Sequence, residues 1–549
     1  MAIVVKRNMT IGAISAEEDA YFLDRCFVET DHSAQLADSR NPKCIALGRT
    51  GSGKSAALIR IQESKLNSVQ IDPEALSLNY ISNSTIIKYL DGLGINLDIF
   101  YQLLWRHVIV VELLKLKKQF HDENSANRWF ANIVDSFKPN RKRQAALEYL
   151  HKFGSSFWLD TEARVREVVQ NIEKNIEHKV GFNLESYFLS PDFQSGKSMR
   201  DEKQIITEVI NKAQQAVNSV QLQELNEVIE FLSENVFDDR QQIYYLIIDD
   251  LDTNWVHENI RFKLIKALIE TIKKFRKIPN VKILISLRSD LLETVIANTS
   301  ERGFQTEKYE DMMLRIDWTK PELYSVMNAR INQIFKDRYT GKDISFEDVF
   351  PGKIGDVDVF TYMLDRTLFR PRDLIVFVNE CFNSADSGAA SIGTRIVRNA
   401  EIAYSRKRMR SLADEWRGVY GDLETPLKVL SKLEVRFTAK DLNNKMLEDL
   451  CIDILAGDGI EQGRFSSMCS AINDKSGMNY SALRKFFIET MYVIGAIGYR
   501  RFSGNPFEWS FRNEPTLNFS AVGEDSLFAI HPMLHREFNI RSDATSLLS

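Results

Sequence analysis

The stretch GRTGSGKSAALIRI, residues 48–61, decides the fold class of this chain. It fits the pattern G-x-x-x-x-G-K-[ST], in which backbone N–H groups wrap around phosphate oxygens. The apolar residues 45–47 before it predict a buried parallel strand, and the residues after Ser55 have helical spacing without a breaker. A strand, a glycine-rich loop and a helix in this order predict a P-loop nucleotide site.

Each residue type in the loop has an expected task. Gly51 and Gly53 allow the backbone to curl inward, and the N-terminal end of the following helix adds positive potential. Lys54 is expected to reach the β- and γ-phosphates, while the hydroxyl of Ser55 binds Mg²⁺. The predicted cofactors are therefore ATP and Mg²⁺, and the predicted nucleotide-binding loop residues are Thr50, Gly51, Ser52, Gly53, Lys54, Ser55 and Ala56.

A second buried strand is predicted at residues 243–248, a continuous apolar run that ends at Asp249-Asp250. Carboxylates at the C-terminal ends of parallel strands lie where open α/β sheets bind ligands. We expect this strand to neighbour the P-loop strand, so that Asp249 holds Mg²⁺ and its water shell. Asp250 is then available to orient or polarise the attacking water.

A third strand is predicted after an amphipathic helix, and it ends at Ser286-Leu287-Arg288. Arg288 would face the γ-phosphate from the next strand over, where it could sense that group or stabilise transferring charge. A salt bridge at the strand end is the alternative. The predicted catalytic residues are thus Asp250 and Arg288.

Composition and charge narrow the function classes. A net charge of −5 at pH 7 gives no global basic signature, so nucleic-acid binding would need a local patch. The five cysteines have no C-x-x-C spacing, which is typical of reduced cytosolic thiols and not of a zinc site. The longest apolar stretch, residues 97–116, contains Arg106, His107 and Glu112. We therefore expect a buried helix, no membrane contact and a cytoplasmic protein.

Helical patterns fill the long interval between the loop and the two acids. We expect a P-loop core at residues 1–75 and 240–316, interrupted by a helical insert at 76–239. Apolar stripes over 160–236 are close to coiled-coil spacing and predict an arm that packs on other insert helices or docks a partner. The basic cluster at 138–144 is expected to be a solvated turn or a small phosphate-binding patch.

After the core, residues 317–408 are expected to form a helical lid and residues 409–549 a winged-helix-like module. Arg370-Pro371-Arg372-Asp373 predicts a helix start, because proline is tolerated in a first turn. In the module, the order helix, strand, helix, helix, strand carries the prediction, and the segments FEWSF and SLFAIHP are expected to complete it as a small hairpin. Its third helix offers Arg484 and Lys485 for a DNA contact before it turns apolar.

The acid cluster IIDDLD and the strand LISLRSD resemble those of the STAND and KAP groups of P-loop NTPases, signalling ATPases common in bacterial conflict and defence systems. The segments EEDAYFLDRCFVET, LGRTGSGKSA and FRPRDLIVFVNECF resemble in particular a poorly characterised bacterial P-loop ATPase family. KAP relatives often carry membrane helices between the loop and the acids, and this sequence has none there.

Two further roles are implied by resemblance alone. Similarity to sensor-2 segments of AAA-type and initiator ATPases implies that Arg370 or Arg372 reaches the nucleotide from the lid, with Arg372 as our candidate. A structural Arg–Asp cap is the alternative. The segment LFAIHPMLHREF resembles the closing element of STAND winged-helix modules, where a histidine touches the bound diphosphate. His531 occupies the matching place, and capping of the helix that starts at Pro532 is its alternative role.

These features predict an α/β fold: a parallel-sheet P-loop NTPase core with a large helical insert, a helical lid and a C-terminal winged-helix-like module. The expected function is a Mg²⁺-dependent ATP switch that controls assembly, as a homo-oligomer or with a separate effector protein, in bacterial anti-phage defence. Two alternatives remain: an initiator-like ATPase that binds and remodels DNA, and a catalytically silent nucleotide-binding scaffold.

Overall fold

The computed structural model of the chain describes residues 4–74, 97–118, 229–299, 306–336, 343–385, 391–456, 463–473, 480–512 and 522–540, with short gaps at 231, 235, 238, 240, 254, 503 and 524–525. The basic cluster at 138–144 and nearly all of the predicted arm at 160–236 lie outside these residues. The chain divides into two compact units. The sheet unit comprises residues 31–47 and 57–315, and the loop unit comprises residues 1–30, 48–56 and 316–549.

In the first half of the chain the described residues form interspersed helices and strands. In the second half most of the described elements are helices. The first half contains α1 (Ala20–Cys26), α2 (Asp31–Ala37), β1 (Ile45–Gly48), α3 (Lys54–Ser64), β2 (Ser68–Ile71), α4 (Asp98–Lys118), β3 (Tyr244–Ile248), α5 (Glu258–Phe275), β4 (Val281–Arg288), α6 (Ser289–Thr299) and β5 (Met313–Arg315). The second half contains α7 (Lys320–Lys336), α8 (Phe346–Val349), β6 (Lys353–Ile354), β7 (Val357–Asp358), α9 (Val359–Leu364), α10 (Pro371–Asn383), α11 (Thr394–Tyr420), α12 (Glu424–Val429), β8 (Arg436–Thr438), α13 (Asn444–Ala456), α14 (Arg464–Asn473), α15 (Tyr480–Val493), β9 (Ile497–Arg500), β10 (Leu527–Ile530) and α16 (Pro532–His535).

The sheet unit is built on a five-stranded parallel sheet in the order β2-β3-β4-β1-β5. Strands β1 and β3 are buried throughout, and β4 is buried up to Arg288, which is typical of parallel strands covered on both faces. The sequence prediction that the acid strand β3 neighbours β1 was wrong, because β4 lies between the two strands. β4 is the longest of these strands, and its apolar run suits this central place.

The predicted buried helix is α4, and it packs on the sheet and on α5. The indole Nε1 of Trp105 donates to the carbonyl of Leu264 at 2.9 Å, and Lys266 pairs with Asp98 at 2.6 Å. The prediction of a buried helix is confirmed, although α4 packs with the sheet and lies within the range predicted as an insert. Among the described residues, no helix combines the length and apolarity needed to span a bilayer.

The helices α7 to α11 form one hydrophobic core of the loop unit, which includes Leu323, Phe360, Phe377 and Tyr404. The chain start contributes Val5, Met9 and Ile11 to the same core. The described residues of 317–408 are therefore mostly helical, with one short hairpin, β6–β7, and the lid stays a prediction. The sequence predicts the three chain-start residues in the P-loop core at 1–75, whereas they pack with the helices α7 to α11.

The C-terminal module, residues 409–549, has a separate core and a three-stranded antiparallel sheet in the order β8-β10-β9. Its described elements run α12, β8, α13, α14, α15, β9, β10 and α16, and α14 is a helix that was not predicted from the sequence. The segment FEWSF contributes no strand; only Glu508 bridges to Tyr499, and β10 pairs instead with β9. This arrangement is compatible with a winged helix, which stays a prediction.

Candidate functional site

The loop after β1 has a backbone that requires glycine at two positions. Gly51 has φ +77° and Gly53 has φ +93°, a region that residues with a Cβ rarely adopt. A Cβ at Gly51 would lie 2.7 Å from the side chain of Arg372, and a Cβ at Gly53 would lie 3.3 Å from the ring of Trp318. Strain and lack of space therefore both select glycine.

Side chains of the loop unit hold this loop in shape. Nε1 of Trp318 donates to the carbonyl of Ser52 at 2.7 Å. The ammonium of Lys54, which is only 8% exposed, donates to the carbonyls of Gly48 at 3.1 Å and Arg49 at 3.0 Å. The buried hydroxyls of Thr50 and Ser52 have no hydrogen-bond partner within the described residues. The glycine cradle, the lysine and these unpaired hydroxyls fit a phosphate ligand.

A cleft of about 560 Å³, including space open to solvent, lies against the loop within the loop unit. We call it the loop cleft. Its walls come from the loop, the chain start and α10, and they are formed by Ala13, Ile14, Ser15, Ala16, Glu17, Asp19, Leu23, Gly51, Gly53, Lys54, Ser55, Ala56, Arg330, Pro371, Arg372 and Ile375.

A buried ion pair fixes the chain-start wall of the loop cleft. Asp19 accepts a hydrogen bond from the backbone of Ala13 at 2.8 Å and pairs with Arg330 of α7 at 2.5 Å. Arg330 also donates to the carbonyl of Ile11 at 2.9 Å, while its buried Nε has no partner within the described residues. Sequence reasoning missed Asp19 and Arg330, because no local motif marks a pair so far apart in the chain.

The structure separates the two arginines at the start of α10. Arg370 is 2% exposed and pairs with Asp373 at 2.9 Å and Glu415 at 3.1 Å. Arg372 lines the loop cleft, and its Nε donates to the carbonyl of Ile14 at 3.1 Å. Burial and the charge of Arg370 lower the pKa of Arg372. Arg372 is therefore the member of this pair that lies beside the loop cleft.

The acids lie at the C-terminal end of β3 in the sheet unit. Asp249 is 5% exposed, and its Oδ1 accepts hydrogen bonds from the hydroxyl of Ser286 and from the backbone of Asp250 at 2.9 Å. Asp250 is exposed and has φ +57°, the left-handed region. The two carboxylates thus differ in environment, one buried and hydrogen-bonded and the other facing solvent. Ser286, noted in the sequence only as a polar strand end, is the partner of Asp249.

Arg288, at the end of β4, is engaged by acidic side chains. It makes a two-point contact with Asp290, at 3.0 and 2.6 Å, and it reaches Asp252 at 3.3 Å. These contacts are those of the strand-end salt bridge that the sequence left as the alternative role. Contact with a γ-phosphate would require Arg288 to exchange these partners, and it stays a prediction.

His531 is fully buried in the C-terminal module and caps α16. Its Nδ1 accepts a hydrogen bond from the backbone of Met533 at 3.1 Å. Its ring meets Trp509 edge-on at a centroid distance of 4.9 Å, with Phe511 at 5.4 Å. Burial and the neighbouring His535 hold the pKa of His531 well below its ordinary value. The helix-cap role is what this geometry describes, and a contact with diphosphate stays a prediction.

The predicted DNA-contact residues on α15 are only partly available. Arg484 donates to the carbonyl of Leu442 at 2.8 Å and to the side chain of Asn444 at 2.7 Å. Lys485 is exposed, as is the acidic Glu489 one turn further on. The outer face of α15 is therefore of mixed charge, unlike a helix that reads the major groove through several basic side chains.

Comparisons with known proteins give two matches. A family model described as the FunZ-associated C-terminal helical domain matches residues 321–413, which run from α7 into α11 and include Arg330, Arg370 and Arg372. The "Putative transposon gamma-delta 80.3 kDa protein" of Escherichia coli (strain K12) is 23% identical over 526 residues, covering 87% of this chain. The chain spans 64% of the length of that relative. Neither description mentions the STAND or KAP groups.

Proposed function

We propose that this chain binds and hydrolyses ATP with Mg²⁺ and uses the nucleotide as an assembly switch. The observation that carries the proposal is the loop cradle, where two glycines of positive φ and a buried lysine line the loop cleft. Backbone N–H groups in such a loop, followed at once by a helix N-terminus, favour phosphate binding. Lys54 would exchange the loop carbonyls for phosphate oxygens, a charge-assisted and stronger contact.

The remainder of the loop cleft supports a nucleoside rather than a bare phosphate. Pro371, Ile375 and the backbone of residues 13–17 offer a mixed apolar and polar wall beyond the loop. Arg372, whose guanidinium stays protonated at neutral pH, would supply positive charge at the phosphate end of the loop cleft. The ion pair of Asp19 and Arg330 keeps the chain-start wall in place.

The acids supply the second part of the proposal. β1 leads into the loop, β3 ends just before Asp249, and both belong to one parallel sheet. The C-terminal ends of such strands are where α/β sheets bind ligands. Ser55 and Asp249 would hold Mg²⁺, which would neutralise phosphate charge. The hydrogen bond from Ser286 fixes the carboxylate of Asp249, and the solvent-facing Asp250 would polarise the attacking water.

The biological role is proposed on the resemblance to STAND and KAP ATPases. A nucleotide-dependent switch in the cytoplasm would control assembly as a homo-oligomer or with a separate effector protein, in bacterial anti-phage defence. The match to a transposon protein is compatible with a mobile-element setting but names no activity. The mixed charge on α15 makes a DNA-remodelling ATPase the less favoured alternative.

A titration with ATP and MgCl₂ tests the proposal most directly. Lys54→Ala should weaken ATP binding on the order of a hundredfold, because a buried charge-assisted contact to phosphate is lost. Lys428→Ala, at an exposed lysine of α12, is the matched control and should bind like the wild type. Equal affinity of Lys54→Ala and the control would remove the P-loop assignment. Binding without turnover, even with partners present, would indicate the silent scaffold.

A further inference from the structure

Arg49, the second residue of the loop motif, extends to the C-terminal module. Its guanidinium donates to the carbonyl of Ile494 at 3.1 Å, to the carbonyl of Val493 and to the hydroxyl of Ser510 at 3.4 Å. Val493 is the last residue of α15, whose final carbonyls lack partners in the helix and carry negative partial charge. The P-loop therefore supplies a cationic cap to a helix of this module.

The next loop residue is held from the other side. The carbonyl of Thr50 accepts a hydrogen bond from the guanidinium of Arg370. Arg370 is fixed by two buried carboxylates, Asp373 of α10 and Glu415 of α11. The charges of Arg370 and Arg408 lower the pKa of Asp373 despite its burial. Arg370, held by these two carboxylates, thus fixes the position of the Thr50 carbonyl in the loop.

Gly495 leaves the space that Arg49 occupies. It has φ +86°, and a Cβ built there would lie 3.0 Å from Nη1 of Arg49 and 3.2 Å from Leu368. The turn after α15 is therefore shaped so that the arginine of the loop can reach the two carbonyls.

We propose that Arg49 and Arg370 are positioning residues that make the phosphate-binding conformation of the loop depend on the C-terminal module. The proposal rests on the proposed nucleotide site, but it assigns these two arginines a task that the loop motif does not include. Neither of these side chains lines the loop cleft. Each acts through the loop backbone, and by linkage a nucleotide in the loop must stabilise the contacts at residues 493–495 in the same measure.

Two measurements on the 549-residue chain test the coupling: the ATP dissociation constant and amide hydrogen exchange at residues 493–497. ATP should slow exchange at these amides in the wild type. Arg49→Ala should weaken ATP binding roughly tenfold and abolish this response. Arg49→Lys keeps the charge but cannot contact both carbonyls with a planar fork, so it should fall between the two. Arg436→Ala, at an exposed arginine of β8 in the same module, should leave both measurements unchanged.

Gly495→Ala provides a variant that removes no charged group. It should displace Arg49 and lower ATP affinity in the direction of Arg49→Ala, while Lys54 and the glycines of the loop are untouched. A merely structural role would lower the unfolding midpoint of Arg49→Ala without changing ATP affinity or the exchange response, and this result would overturn the proposal. Absence of ATP binding by the wild type would instead refute the proposed function.

Discussion

The loop cleft and the histidine pair of the C-terminal module, His531 and His535, differ in how far they are open to solvent. In the loop cleft, a glycine cradle and Arg372 border open space, and two nearby hydroxyls have no partner within the described residues. In the module, Nδ1 of His531 caps α16, and Nε2 of His535 lies 2.9 Å from the carbonyl of Ile530. Aromatic rings enclose His531. Each histidine also has one buried ring nitrogen with no partner within the described residues, so the regions differ in enclosure: the loop cleft borders open space, and the histidine pair is packed among side chains.

The comparison shows what a short motif can and cannot predict. The loop motif predicts a site because its geometry is local: glycines set the backbone, and the lysine follows within the same turn. A histidine in a matching position carries no such local geometry. Whether it faces a ligand or a core depends on which distant residues surround it, here Trp509 and Phe511.

The same limit explains the other differences between sequence and structure. The strands β1, β3 and β4 were predictable from apolar runs, but their order was not, because pairing depends on the whole sheet. Arg370 and Arg372 are equivalent in the sequence; the distant Glu415 makes one structural, and the chain start brings the other to the loop cleft. The cap of α15 by Arg49 joins residues more than four hundred positions apart, as the pair Arg49–Ile494 illustrates.

After Lys54→Ala, the largest effect is expected from changes at Asp249 and Asp250. These variants test the roles proposed for the two carboxylates. Asp250→Asn should keep ATP and Mg²⁺ binding but slow hydrolysis on the order of a hundredfold, the usual scale for one positioned general base. Single-turnover hydrolysis, with the protein in excess over ATP, is the measurement. Unchanged turnover would mean that the two acids are assigned wrongly.

Asp249→Asn is the companion variant, because its carboxylate is the buried one that Ser286 contacts. It should raise the Mg²⁺ concentration needed for half-maximal nucleotide binding, whereas Asp250→Asn should not. Ser286→Ala should change Mg²⁺ dependence in the same direction by a smaller factor. A shift in Asp250→Asn alone would reverse the roles of the two residues.

The next effect is on stability and concerns the histidine pair of the C-terminal module. Burial lowers the pKa of His535 to about 4, from an ordinary value of 6.5. The unfolded chain therefore takes up a proton at higher pH than the folded one. The contribution of neutral His535 to the free energy of unfolding is fully present above pH 6.5 and is lost as the pH drops towards 4. At pH 5 the loss from His535 alone is about 2 kcal/mol, and the lowered pKa of His531 acts in the same direction.

Urea unfolding at pH 7 and pH 5 measures this loss. His535→Gln cannot take up the proton, so its difference between the two pH values should be smaller than that of the wild type by about the same 2 kcal/mol. His32→Gln, at a half-buried histidine of α2, is the control and should retain the full difference. If the free energy of unfolding of the wild type is the same at pH 7 and pH 5, the burial of His531 and His535 as neutral side chains is contradicted.

The smallest effect is the one that separates the two regions most cleanly. His531→Asn keeps an acceptor that can cap α16, whereas His531→Ala removes it, so the alanine variant should be less stable than the asparagine variant by about 1 kcal/mol. Because the ring is enclosed by Trp509 and Phe511, ADP release should stay within about twofold of the wild type in both variants. Stopped-flow displacement of a fluorescent ADP gives the off-rate, and urea unfolding gives the stability. If both variants release ADP much faster while their stabilities agree, His531 contacts the diphosphate, and the histidine pair belongs with the loop cleft after all.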